Sequence, residues 1–284
     1  GLPAPLSGEP RRLRRSEAYE LSYHHLQIVY SRNRPVLPGK MLAKAAEMGY
    51  DEKNRKGVGS LAYQILHPRD TKIEGVLFDM DGVILDSEKL YAKFWAAGCA
   101  FYGYNMNYQQ ALGMRSLSAE AGQAYLSSLF GPEIVYEQIR AKRIELMDAY
   151  IEENGIEAKP GVYALLDVLE EKKIPFAITT ASPADRIQDH LTRLNLYHRF
   201  PIICSAHAVA HGKPEPDIYL YGAQSIGVAP QNCLALEDSY TGLLSAYRAG
   251  CMASIVPDLD QPDQKILEIA YARFDSLNDV IDVV

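Results

Sequence analysis

The sequence predicts an α/β protein with a parallel sheet covered by helices on both faces, an all-helical module inserted after the first strand, and a small helical extension ahead of it. Three observations carry this. From Ile73 onward, short apolar runs alternate with amphipathic stretches, the pattern of a parallel sheet with crossover helices. Between the first and second apolar runs lies a long segment with helical periodicity and no good strand. Finally, charge divides the chain: residues 1–70 hold 12 Lys+Arg against 7 Asp+Glu, and the remainder holds 17 against 29.

The start, Gly1 to Pro10 followed by Arg11-Arg-Leu-Arg-Arg15, resembles a flexible tail more than a secretory signal, because no apolar stretch follows the arginines; a transit peptide is the other reading. Ala18, Leu21, His25, Ile28 and Val29 then fall near one helical face until Pro35 and Pro38 break the pattern. Lys40 to Met48, closed by Gly49, and Asp51 to Leu66, interrupted by Gly57 and Gly59, complete an expected three-helix appendage over residues 1–70. The expected strands are Ile73 to Phe78, Ile174 to Thr179, Pro201 to Cys204, Cys233 to Leu236 and Met252 to Val256. Ser182 to Leu194, Pro216 to Ile226 and Tyr240 to Ala249 read as helices, the last two ended by Gly227 and Gly250. The insertion, residues 87–159, holds the amphipathic stretches Ser87 to Phe101, Ser116 to Phe130 and Glu133 to Glu153, and Pro160-Gly161 marks the return to the sheet. This leaves 71–86 and 160–284 as the α/β core.

Four elements could carry chemistry. Asp79 and Asp81 stand in a tight Asp-Met-Asp-Gly turn directly after an apolar strand, at the carboxyl edge where open α/β sheets bind ligands; turn chemistry alone could also place them there. Glu237-Asp238 again follow an apolar strand and precede a helix. Two acids there suit a hard cation, although helix capping would also favour them. Thr180 ends its strand, and with Ala181-Ser182 it offers a hydroxyl and backbone amides at a helix start, which suits a phosphate oxygen as well as a simple cap. Lys213 lies in His211-Gly-Lys-Pro-Glu-Pro-Asp217, a loop stiffened by Gly and Pro, where a held ammonium could neutralise phosphate charge.

In this order along an alternating α/β chain, the runs Phe78-Asp-Met-Asp-Gly-Val-Ile-Leu-Asp-Ser-Glu88, Thr179-Thr-Ala-Ser182, Gly212-Lys-Pro-Glu-Pro-Asp217 and Leu236-Glu-Asp-Ser239 resemble the four motifs of the haloacid dehalogenase superfamily. More narrowly, they are similar to its branch of β-phosphoglucomutase-like phosphatases. The resemblance spans about Ile73 to Val284 and implies a doubly wound, Rossmann-like core with a helical cap inserted after the first motif. It implies a Mg²⁺-dependent phosphatase in which Asp79 is the nucleophile that becomes an aspartyl-phosphate and Asp81 the general acid/base. Thr180 and Lys213 would hold the transferring group. Asp79, the Asp81 backbone carbonyl and Asp238 would bind Mg²⁺, with Glu237 beside it. In the cap, Gly113-Met-Arg-Ser116 resembles a loop that presents an arginine, here Arg115, to the substrate.

Three other activities compete. A phosphosugar mutase would return the phosphoryl group to a sugar, but Tyr91 stands where β-phosphoglucomutases carry a histidine. A dehalogenase lacks the second aspartate and needs no metal. A binding module would use the basic leader to contact RNA or a protein partner. The net charge of −7 gives no general reason to expect nucleic acid, and no run is apolar enough to span a membrane. Cys99, Cys204, Cys233 and Cys251 show no paired spacing, so reduced buried thiols in a cytoplasmic protein are expected. The expected partner is a small phosphorylated metabolite, with monomer and homodimer both open.

Overall fold

The computed structural model describes residues 20–23, 26–31, 34–36 and 63–284, apart from Ser116. Two compact units divide at Gly59 and Ser60.

In the first unit the described residues of the expected helix over Ala18 to Val29 are instead strand. Strands β1 (Glu20–Tyr23), β2 (Leu26–Ser31) and β3 (Arg34–Val36) form an antiparallel meander, with Glu20 opposite Val29 and Val29 opposite Val36. Leu21 and Tyr23, then Leu26, Ile28 and Tyr30, alternate with other residues. This period of two is rich in β-branched and aromatic residues, and the two-residue intervals between strands are hairpin lengths. Both outweigh a few matches to a helical period. The expected helix from Lys40 to Met48 lies outside the described residues. The described end of the Asp51 to Leu66 helix is strand β4 (Tyr63–Ile65), which pairs antiparallel with β10 (Ala272–Phe274). That short segment is held by Tyr63 against Phe274 and by sheet hydrogen bonds, which override local helix propensity. The expected extension over 1–70 therefore gives up its last residues to the main sheet.

The second unit is built on seven strands in the order β4-β10-β9-β8-β5-β6-β7, where β5 is Gly75–Phe78, β6 Phe176–Thr180, β7 Ile203–Ser205, β8 Cys233–Glu237 and β9 Met252–Ile255. All neighbours are parallel except β4. The central strands are buried throughout because helices cover both faces, which is why they read as unbroken apolar runs. Alternate residues divide between two cores: Val76, Phe78, Ile178, Leu234 and Leu236 face one layer, and Leu77, Ala177, Ala235 and Ala253 the other.

Between β5 and β6 the chain leaves the sheet for α1 (Glu88–Phe101), α2 (Tyr108–Leu112), α3 (Ala119–Phe130) and α4 (Tyr136–Asn154). These helices bury a core of their own around Trp95, Cys99, Leu126, Ile134 and Ile139. The two crossings into this insertion lie side by side: Asp86 N donates to the Glu157 carbonyl and Lys159 N to the Ile84 carbonyl, 2.9 and 2.8 Å. The remaining helices are α5 (Val162–Lys172), α6 (Ala184–Arg193), α7 (Asp217–Ser225), α8 (Tyr240–Arg248), α9 (Gln264–Ile269) and α10 (Leu277–Val280). The chain runs from β5 to β6 and β7 on one side and to β8, β9 and β10 on the other. The carboxyl end of β5 is thus the switch point where a crevice opens.

Candidate active site

Asp79 is the first residue beyond β5, fixed by its amide donating to the Leu236 carbonyl at 2.9 Å. The Met80 carbonyl accepts from the amides of Ile84 and Leu85, which tightens the turn that carries Asp81. Gly82 is required here: its φ is +79°, and a Cβ would stand 2.3 Å from Asp238 Oδ2. Asp81 accepts hydrogen bonds from Ser87 Oγ at 2.8 Å and Ser182 Oγ at 2.7 Å, so its carboxylate is aimed across the mouth of the crevice.

Thr180 ends β6, and its Oγ1 accepts from the Ser182 amide at 3.0 Å, folding Thr180-Ala181-Ser182 into the start of the next helix. Lys213 reaches in from its loop. Its Nζ donates to Asp79 Oδ1 and to Glu237 Oε1, each at 2.6 Å, and to the Thr179 carbonyl at 3.1 Å. Glu237, the last residue of β8, also accepts from the Tyr219 hydroxyl at 2.5 Å. Its carboxylate occupies the space above Gly242 of α8, where a Cβ would lie 2.0 Å from Cδ.

Carboxylate oxygens of Asp79, Glu237 and Asp238 lie within 4.8 Å of one another, a group that could hold a metal ion. Charge supports that fit. If all three ionise, these clustered carboxylates outnumber the ammonium of Lys213 by two charges. Burial, opposed by Lys213 and reinforced by Glu237, pushes Asp79 up to about 7. Asp238 is driven well above the carboxylate range by burial and by Glu88, Asp79 and Glu237. A divalent cation would relieve both. The Asp81 carboxylate is engaged by its two serines and stands outside this group.

A cavity of about 440 Å³ joins these residues to the inserted helices: Asp79, Asp81, Thr180, Ala181, Ser182, Lys213 and Asp238 line one side, and Tyr91, Trp95, Arg115, Tyr136 and Arg143 the other. Eight of the nine residues expected in the site from sequence border it, and Glu237 lies directly beneath. Arg115 faces the cavity while its guanidinium pairs with Asp260, and its Nε donates to the Leu112 carbonyl at 3.2 Å. Ser116 of the same loop is outside the described residues. Sequence reasoning missed Glu88, Trp95, Arg143 and Tyr219. Glu88, Tyr91 and Trp95 recur at helical spacing, a stripe that could have marked a cavity-facing side of α1.

A carboxylate at the switch point of a doubly wound sheet, backed by a lysine and an acidic cation site under a helical insertion, defines an enzyme of the aspartate-based hydrolase class. Residues 76–256 match the family model described as haloacid dehalogenase-like hydrolase, and the chain belongs to that family. Among its relatives, hexitol phosphatase A of Escherichia coli K12 is 34% identical over 182 residues, covering 63% of this chain and 81% of that protein. A fructose-1-phosphate phosphatase of the same organism is 32% identical over 183 residues, covering 62% and 92%. The crystal structure of a protein described as a β-phosphoglucomutase of Thermotoga maritima superposes with a TM-score of 0.61 at 26% identity, covering 74% of this chain and 97% of that one.

Proposed function

We propose that the chain is a Mg²⁺-dependent phosphatase that releases inorganic phosphate from a small phosphorylated carbohydrate or related metabolite through an aspartyl-phosphate on Asp79. The observation that carries this is the joint placement of Asp79, Lys213 and the Glu237–Asp238 pair under a cavity of metabolite size. The relatives named for hexitol and sugar phosphates support the substrate class. Residues 71–86 and 160–284 act as the catalytic core and 87–159 as its lid.

The Asp79 carboxylate attacks phosphorus as the bond to the substrate's alcohol oxygen breaks, and Asp81 gives that oxygen its proton. Asp81 then takes a proton from water as the water oxygen attacks phosphorus, which releases phosphate and restores Asp79. Ser87 and Ser182 keep Asp81 in one orientation for both transfers. Lys213 holds the nucleophile and offsets charge on the phosphoryl oxygens, while Thr180 and the amides of Ala181 and Ser182 receive those oxygens. Asp79, the Asp81 carbonyl and Asp238, with Glu237 beside them, would hold Mg²⁺, which when bound supplies Lewis-acid stabilisation of the transferring group. The lid excludes bulk water during the first displacement.

Tyr91 supports water as the final acceptor: its hydroxyl accepts from Arg186 Nη1 at 3.0 Å and its ring faces Arg143, so the mutase histidine's position holds no free base. Four buried free thiols suit a reducing compartment, the cytoplasm. Among the described residues, no helix is long and apolar enough to cross a membrane. Phosphate release should be measured over sugar phosphates, sugar-alcohol phosphates and nucleotides, with and without Mg²⁺. Turnover should vanish in Asp79→Asn and fall steeply with chelator; full activity in either condition refutes the mechanism. β-Glucose 1-phosphate should yield free phosphate, and glucose 6-phosphate as the product would make it a mutase.

A further inference from the structure

Arg143 is a buried cation that the mechanism above does not use. It lies on α4 with 5% exposure, its Nε is buried with no hydrogen-bond partner, and Nη1 reaches only the sulfur of Met147, at 3.9 Å. After burial, the groups that act on it most strongly are Tyr91, Arg186, Arg140 and Tyr136, and none of these is a carboxylate. Its guanidinium carbon stands 4.8 Å from the Tyr91 ring centroid and 5.1 Å from that of Trp95. Tyr91 is fixed in turn by Arg186. Aromatic faces hold a guanidinium in place without neutralising it. A buried cation lacking a counter-charge is costly, and that cost falls when an anion arrives.

Arg143 lines the same cavity as Asp79, beside Tyr91, Trp95 and Tyr136, with Glu88 the carboxylate that the inserted helices bring to that cavity. Arg115, on that side too, is already paired with Asp260. We propose that Arg143 receives a second oxyanion of the substrate, so that the preferred substrate carries a carboxylate or a second phosphoryl group besides the one transferred. This rests on the phosphatase reading and narrows its substrate class.

The test compares matched compounds: a sugar-alcohol monophosphate, the phosphorylated sugar acid of the same length, and the bisphosphate. The wild type should favour one or both of the compounds that carry a second acidic group in kcat/KM by about 10- to 100-fold, the worth of one charge-assisted hydrogen bond. The arm with the higher value identifies carboxylate or phosphoryl as the second group. In Arg143→Met the preference should shrink to within about threefold, and Arg143→Lys should restore part of it. Equal turnover by the wild type of the compounds with and without a second acidic group, or a preference that survives in Arg143→Met, overturns the proposal.

A second readout needs no turnover. Asp79→Asn protein with Mg²⁺ is titrated with 3-phosphonopropionate and with propylphosphonate, and the thermal shift is followed. The carboxylate-bearing ligand should bind about 10- to 100-fold tighter, and the added Arg143→Met substitution should abolish the difference. Absence of any phosphate release would refute the phosphatase reading alone, since this titration still decides whether Arg143 takes an anion. Ligand-free Arg143→Met should melt no lower than the wild type, because an apolar side chain there relieves an unpaired charge. A lowered Tm would mark Arg143 as a packing residue and count against the proposal.

Discussion

Lys213→Met should damage the fold and the chemistry together. The Lys213 side chain is 12% exposed and touches two carboxylates at 2.6 Å, with the Asp79 and Glu237 side chains 11% and 1% exposed. Methionine keeps most of the volume and removes the charge, leaving three clustered acids without their ammonium. Breaking a buried pair from one side costs about 3–5 kcal/mol. For a unit of this size each kcal/mol moves Tm by roughly 2–4 °C, so a fall of about 6–20 °C is expected in chelator. Added Mg²⁺ should recover more of Tm in the variant than in the wild type, because the cation then meets an uncompensated cluster. Lys213→Met with Glu237→Gln should be more stable than Lys213→Met alone, since one orphaned acid is gone. Phosphate release should drop by at least about 10²-fold in both, as expected on losing a preorganised charge at the transferring group. Scanning calorimetry of the three proteins with and without Mg²⁺ decides the matter. A metal-free Tm within about 2 °C of the wild type, or a double variant no better than the single, refutes the claim that Lys213 holds the acids together.

Gly242→Ala should abolish activity and lower Tm by several degrees, because a Cβ 2.0 Å from Glu237 Cδ must displace that carboxylate; wild-type kinetics would show that Glu237 has other room. Burial, reinforced by Asp81 and opposed by Arg115, pushes Glu88 from 4.5 up to about 8. The folded chain therefore keeps that proton where the unfolded chain has lost it, and metal-free protein should lose stability as pH rises from 4.5 to about 8. Glu88→Gln should flatten that decline in melts run across the range, and an unchanged slope rules the assignment out. A chain lacking 1–72 should melt below one lacking 1–59 and aggregate more readily, because only the first loses β4 and bares the edge of β10. Equal melting of the two would assign β4 no role in the sheet.

The parts of this protein that sequence alone reveals are those where chemistry or burial dictates residue type at fixed chain positions. The runs ending at Phe78, Thr179 and Leu236 are apolar because both faces of the sheet are covered, so their ends, and the polar residues just beyond, mark the ligand edge. Asp79, Asp81, Thr180 and the Glu237–Asp238 pair are legible for that reason, and Lys213 for the Gly and Pro that stiffen its loop. Glu88, Arg143 and Tyr219 are not, because each reaches the cavity or the buried acids from a helix face, and which face turns inward is settled by packing between elements far apart in the chain. Strand β10 has only three residues, too few for a period to register, and depends on pairing with β9 and β4. In the meander of β1 to β3 the apolar residues fit both a period of two and a looser helical spacing, and the pairing between strands decides for sheet.

The paired crossings at Ile84–Asp86 and Glu157–Lys159 also bear on how the chain finds its fold. Strands β5 and β6 are neighbours at the centre of the sheet, yet Val76 pairs with Phe176, a hundred positions later. Once the inserted helices collapse on their own core and Leu85 bridges to Ala158, the free loop between those strands shrinks to about a quarter of its length. Two halvings of a loop lower its closure cost by about 1.2 kcal/mol. The module over the catalytic crevice therefore also acts as a clasp, drawing together the two strands whose ends carry Asp79 and Thr180.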